Sequence, residues 1–296
     1  MISFRTHVAT LVAVFLALAS GVVLAGGPLG ELGRGEGETT AALEAKLDDA
    51  RTGEAFGAKF ASDVAAKLLP GTLKDRGVAL VTFPGARTAT VEALTGLVQQ
   101  AGGKVTAVQE VGSSLVNPGE KSLVDTLGSQ LMGQVPSGSV TATASTYERA
   151  GELLALTLAT DREEGDAPTS QTKAVADGLK GANLLPQAAE LSQRAPLVLV
   201  VLGDEVTGNG GDDIVAGLLR GIAQRTVGTV VVAPTADDDG QLARMRDAEA
   251  LGDATTVDGV EASVGQVSAV LGLQRALDAR GGDFGATGSD GSVPLR

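Results

Sequence analysis

The chain has 296 residues, a formal net charge of −13, no Cys, no Trp, one Tyr and six Phe. That length allows one or two domains with a buried core. The acidity, with no cluster of Lys and Arg, excludes a phosphate-binding surface and so excludes nucleic acid as a partner. The absence of Cys excludes disulfides, thiolate metal sites and thiol catalysis.

The chain opens MISFRTHVATLVAVFLALASGVVLAGGPLG, and residues 8–27 hold no Asp, Glu, Lys or Arg. At a rise of about 1.5 Å per residue, ~20 residues cross a ~30 Å hydrocarbon core. A retained transmembrane helix over 8–27 is therefore expected, because the apolar region of a signal peptide runs to about 7–15 residues. The alternative is a cleaved signal peptide, for which Val23-Leu24-Ala25 before Gly26 supplies a cleavage site. Arg5 precedes the span and an acidic segment (GELGRGEGE) follows it. The positive-inside rule then places residues 1–7 in the cytoplasm and the main domain outside. Membrane lipid is accordingly an expected partner.

Residues 28–70 read as a Gly-rich linker followed by a helical segment. TAALEAKLDDA (40–50) is a good helix former with Leu43 and Leu47 on one face. Phe56, Phe60, Val64 and Leu68 repeat every four residues, but Gly53 and Gly57 interrupt the pattern. A helix packed on the domain is expected, with a short membrane-proximal coiled coil as the alternative.

The apolar runs change character after Gly77. GVALVTF (77–83), a helical stretch at 88–103 and KVTAVQEVG (104–112) make one βαβ unit. PLVLVVLG (196–203), a helix over 212–226 and VGTVVVAP (227–234) make another. Helices over 146–160 and 170–182 connect them. A short strand (254–259) and a last helix (264–279) follow. With so few aromatics, the core must be Val, Leu, Ile and Ala, which suits strands covered on both faces. The pattern predicts an α/β fold, a Rossmann-like doubly wound and mostly parallel sheet over 77–282. The ending, residues 283–296, is low in apolar content and reads as a disordered tail.

In open α/β sheets ligands sit beyond the carboxyl ends of the strands. Three loops belong there: 84–88 (PGART), 203–213 (GDEVTGNGGDD) and 234–240 (PTADDDG). Clustered carboxylates suit a hard cation such as Ca²⁺ or Mg²⁺, and Asp204, Asp237 and Asp239 are the candidate ligands. No window has EF-hand spacing, so roles as turn residues and helix caps are expected first. No P-loop or G-x-G-x-x-G pattern occurs. The single His is His7, at the membrane edge, so no Ser–His pair can form in the domain, and no enzyme and no cofactor are expected. The exported part holds only Met132 and Met245 as soft-metal donors, and Met132 lies on a helical apolar face suited to packing.

The opening MISFRTHVATLVAVFLALASGVVLAGGPL, together with GVALVTFPGA, AGELLALTLAT and VGQVSAVLGLQRALDARGGDFG, resembles the actinobacterial copper transporter MctB family. Those chains open with a similar MISxRxH start and an apolar run ending in GVVLG. The resemblance covers nearly the whole chain and is most specific at its two ends. It implies an envelope protein that forms pores and acts in copper efflux, with the copper ion as transported species and the outer membrane as a location. A pore needs several helices, so one span per chain implies a homo-oligomer. The alternative reading is a membrane-tethered α/β scaffold or ligand-binding domain without transport activity.

Overall fold

Continuous runs of Val, Leu and Ala pair into a single six-stranded sheet. Its strands are β1 (Gly77–Thr82), β2 (Lys104–Glu110), β3 (Leu197–Val201), β4 (Gly228–Ala233), β5 (Thr255–Asp258) and β6 (Asp283–Phe284). They lie in the order β2-β1-β3-β4-β5-β6, and every neighbouring pair is parallel. The two βαβ units thus share one sheet. The computed structural model describes residues 40–235 and 240–295, with side chains from residue 45 onward. The expected span over 8–27 lies outside the described residues. Among those residues, no helix is long and apolar enough to cross a membrane.

Strand residues alternate between two cores, as the period of two requires. Val78, Leu80, Leu197, Leu199, Val201, Val230 and Val232 face one layer of helices: α1 (Thr40–Leu68), α2 (Thr88–Gln100) and α9 (Ser263–Arg275). Ala79, Val81, Val198, Val200 and Val231 face the other. That layer holds α3 (Ser113–Val116), α4 (Lys121–Met132), α5 (Thr146–Leu158), α6 (Ser170–Gly181), α7 (Gly211–Ala223) and α8 (Gln241–Asp247). The sheet is covered on both faces, as its uninterrupted apolar strands demand. Met245 is buried and Met132 packs against the same core.

α1 runs unbroken through Gly53 and Gly57. The small residues Gly57, Ala61 and Ala65, with Leu69 just beyond the helix, make its buried face. The Phe-containing stripe does not: Phe56 is 67% exposed and its ring stacks on Phe60 with centroids 6.4 Å apart. Small side chains let the helix lie close to the domain, so position on the helix decides burial here, not residue size.

α5 and α7 cross at backbone contact. A Cβ on Gly151 would lie 2.2 Å from the Leu218 carbonyl oxygen, and one on Gly221 would lie 2.0 Å from that of Glu148. Only Gly allows such an approach. The crossing buries Glu152 completely. Its Oε2 accepts bonds from Arg225 Nε (2.8 Å) and Nη2 (2.5 Å) and from the Thr141 backbone N–H (2.8 Å). Its Oε1 has no partner among the described residues.

Residues 283–295 are ordered, contrary to the expectation of a disordered tail over 283–296. Residues 283–284 add β6 to the sheet edge, and Phe284 is buried. Arg246, only 7% exposed along its side chain, is the post that holds them. It donates to Asp258 Oδ1 (3.1 Å), Thr256 Oγ1 (2.7 Å), Thr287 Oγ1 (3.2 Å) and the Phe284 carbonyl (2.8 Å). Asp258 in turn accepts from the Thr287 backbone N–H at 3.0 Å. The Arg275 guanidinium sits 5.2 Å from the Phe284 ring centroid. Polar anchoring thus adds to the packing of Phe284, Val293 and Leu295 on the core.

Two predictions follow from this packing. Gly221→Ala must move a backbone and should destabilise by about 1–3 kcal/mol or more. Gly53→Ala, with nothing within 4 Å of its new methyl, should instead stabilise by up to about 1 kcal/mol through helix propensity. Urea denaturation of the two variants checks the contrast. Arg246→Ala leaves Asp258 buried without its partner and should cost about 3–5 kcal/mol. Limited proteolysis should then cut the chain beyond residue 282 well before it cuts elsewhere.

Candidate site at the carboxyl ends of the strands

The strand order reverses between β1 and β3, which makes this the switch point where an α/β sheet of this order opens a ligand crevice. Here the two flanking loops close most of it. The Asp204 N–H donates to the Pro84 carbonyl at 2.9 Å, and Phe83 N–H to Val201 O at 2.9 Å. A Cβ on Gly203 would lie 2.1 Å from Pro84 O and 2.2 Å from the Ala86 nitrogen. Gly85, at φ +82°, presents its Cα to the Asp204 side chain. The loops are stacked backbone on backbone where a nucleotide pyrophosphate would otherwise run.

A recess of about 150 Å³ remains beside this contact. Gly85, Arg87, Thr90, Asp204, Pro234 and Glu261 are among its lining residues. A second recess of about 310 Å³ lies between α1 and the start of α9, walled largely by Gly, Ala and Ser. Asp258 reaches that wall but is held by Arg246.

The acidic loop 203–213 is clamped by α8. Asp212 Oδ2 accepts from Arg244 Nε at 2.8 Å, and its Oδ1 accepts from Arg244 Nη2 (3.0 Å) and Gln241 Nε2 (2.9 Å). Glu205 Oε1 accepts the Gln241 backbone N–H at 2.7 Å, and Oε2 lies 3.4 Å from Arg244 Nη2. The Arg244 hydrogen bond, chiefly, holds the Asp212 carboxyl below its ordinary pKa, with Gln241 adding to it and partial burial opposing it. Arg244 is raised in return, first by its bond to Asp212.

Of the sequence-predicted cation ligands, Asp204 is the one among the described residues. Asp204 stands in the switch-point recess, apart from the Glu205–Asp212–Arg244 clamp. Asp237 and Asp239 lie outside the described residues. Among the described residues, no group of three or more His, Cys, Asp or Glu is placed to hold a metal ion. Two acids of the 203–213 loop, Glu205 and Asp212, instead meet an Arg from a helix that the sequence pattern did not reveal. Arg87 lies in the predicted 84–88 loop, whereas Thr90 and Glu261 had no signal in the sequence. The signal for Arg87 was the position of PGART directly after the first strand.

Fold and site together define a flavodoxin-like parallel α/β domain that carries a long helix at its start and has a largely closed switch-point crevice. The chain belongs to the family described as "Copper transport outer membrane protein, MctB", whose model matches residues 1–295. It is similar to the protein named Copper transporter MctB of Mycobacterium tuberculosis (strain ATCC 25618 / H37Rv). The two are 29% identical over 311 aligned residues, covering 98% of this chain and 96% of that one. The protein of the same name from Mycobacterium bovis matches to the same extent.

The clamp predicts a pH signature. The Asp212 pKa is lowered on folding, so its stabilisation is complete above the unfolded value near pH ~3.9 and is lost as pH falls through the lower folded value. Arg244→Gln should lower Tm at neutral pH and flatten the loss of stability below about pH 4. The difference from wild type should shrink in high salt, because both partners are partly exposed. Thermal melts across pH and salt check it.

Proposed function

We propose that this protein acts in copper transport in the cell envelope, as a pore-forming homo-oligomer anchored by residues 8–27. The family match over residues 1–295 carries the reading. The mycobacterial relatives named as copper transporters support it across nearly their whole length. Copper here is cargo and not a resident ion. The described sulfur atoms belong to Met132 and Met245, both committed to the core, so the domain suits passage of the ion without tight retention. Lipid contact belongs to the anchor, and the α/β domain stands outside the membrane as its assembly platform. The proposal assigns no catalytic step to the chain.

A second reading, a tethered domain that docks envelope partners without transport, is favoured by the exposed face of α1. There Leu47 and Phe56 are 49% and 67% exposed. One experiment separates the two. Deletion of the gene should raise cellular copper and copper sensitivity. The full chain should restore both, and a chain lacking residues 1–27 should not. Unchanged copper in the deletion strain would overturn the transport reading and leave the docking one.

A further inference from the structure

The recess at the switch point carries charges of both signs that meet no partner among the described residues. Arg87 and Asp204 both line it. Neither side chain makes a hydrogen bond or ion pair among the described residues. Elsewhere on this surface neighbouring opposite charges do pair: Arg76 with Glu163, Arg244 with Asp212 and Arg280 with Asp253. Arg87 also stands at the N-cap of α2, where no side chain caps the helix, so the first N–H groups of α2 add positive potential there.

Thr90 supplies an independent observation. It is only 8% exposed, and it lines the same recess. Its hydroxyl has no hydrogen-bond partner among the described residues, and the oxygen keeps some accessible surface. The little surface it keeps opens into the recess. Glu261 adds a second carboxylate, of which Oε2 accepts the Thr235 N–H at 2.9 Å and Oε1 remains available.

The set selects a ligand by exclusion. A simple anion would meet two carboxylates. A simple cation would meet Arg87 and the positive end of α2. The volume, about 150 Å³, falls well short of the roughly 300–1,000 Å³ of sites for larger ligands. We propose that this recess binds a small zwitterion of the free α-amino acid class. The ammonium group faces Asp204 and Glu261, the carboxylate faces Arg87 and the start of α2, and Thr90 completes the contact. The site is separate from copper passage and does not rest on that reading.

Isothermal titration calorimetry of the full chain in detergent tests it. Glycine and L-alanine are the probes, with acetate and methylammonium as single-charge controls. Binding of an amino acid is expected at millimolar concentration or below, with both controls weaker by about tenfold or more. Asp204→Asn and Arg87→Gln, both at exposed positions, should each weaken binding by about tenfold while leaving Tm unchanged. Thr90→Val should weaken it and Thr90→Ser restore it. Absence of heat with both amino acids would overturn the proposal. So would equal binding of a control, or affinity indifferent to Asp204→Asn and Arg87→Gln.

Discussion

The close crossing of α5 and α7 is the constraint on which the rest of this domain depends. Gly151, Gly217 and Gly221 bring the two backbones together, and most of α5 is buried as a result. The same approach takes Glu152 out of water. A buried carboxylate is tolerable only when its charge is met. Arg225, two residues beyond α7, meets it, and Thr141 supplies a backbone donor. The contact thus ties the helical insertion between β2 and β3 to the second βαβ unit. Without it the strands β1 and β3, neighbours in space but far apart in sequence, would have little to hold the intervening helices on one face.

Adjacency of β1 and β3 creates the switch point, and the sequence of the two loops decides what becomes of it. Glycines at 85 and 203 let the loops touch, so the crevice shrinks to a small recess. In folds of this order the same place commonly accepts a large cofactor. Here the loop contact leaves space for a few heavy atoms, and the surrounding charges are of both signs. The fold is shared with many activities, and the local geometry narrows them.

Copper transport reaches this chain through its family, while the described domain explains how such a protein is held together. The domain's polar networks are structural. Arg246 pins the C-terminal segment, Arg244 clamps the acidic loop, and Arg225 neutralises Glu152. Arginine suits all three places because its planar fork satisfies several acceptors at once. An acidic chain with few cations spends several of them on internal order.

The sequence by itself determined the α/β class, the pairing of 77–112 and 196–234 into βαβ units, and most helix positions, because period-two and period-3.6 apolar patterns are local properties. It also carried the family, through its two ends. Tertiary structure decided the rest. Residues 283–284 became a strand because Arg246 and Asp258 receive them, and no local pattern in GGDFGATGSDGS reports that. Gly57, Ala61 and Ala65 became the buried face of α1, where size alone favoured the Phe stripe. Asp212 and Glu205 became partners of Arg244, while Asp204 entered the recess. Each outcome depends on which distant groups the sheet order brings together, and that is a property of the packed chain, not of any window of its sequence.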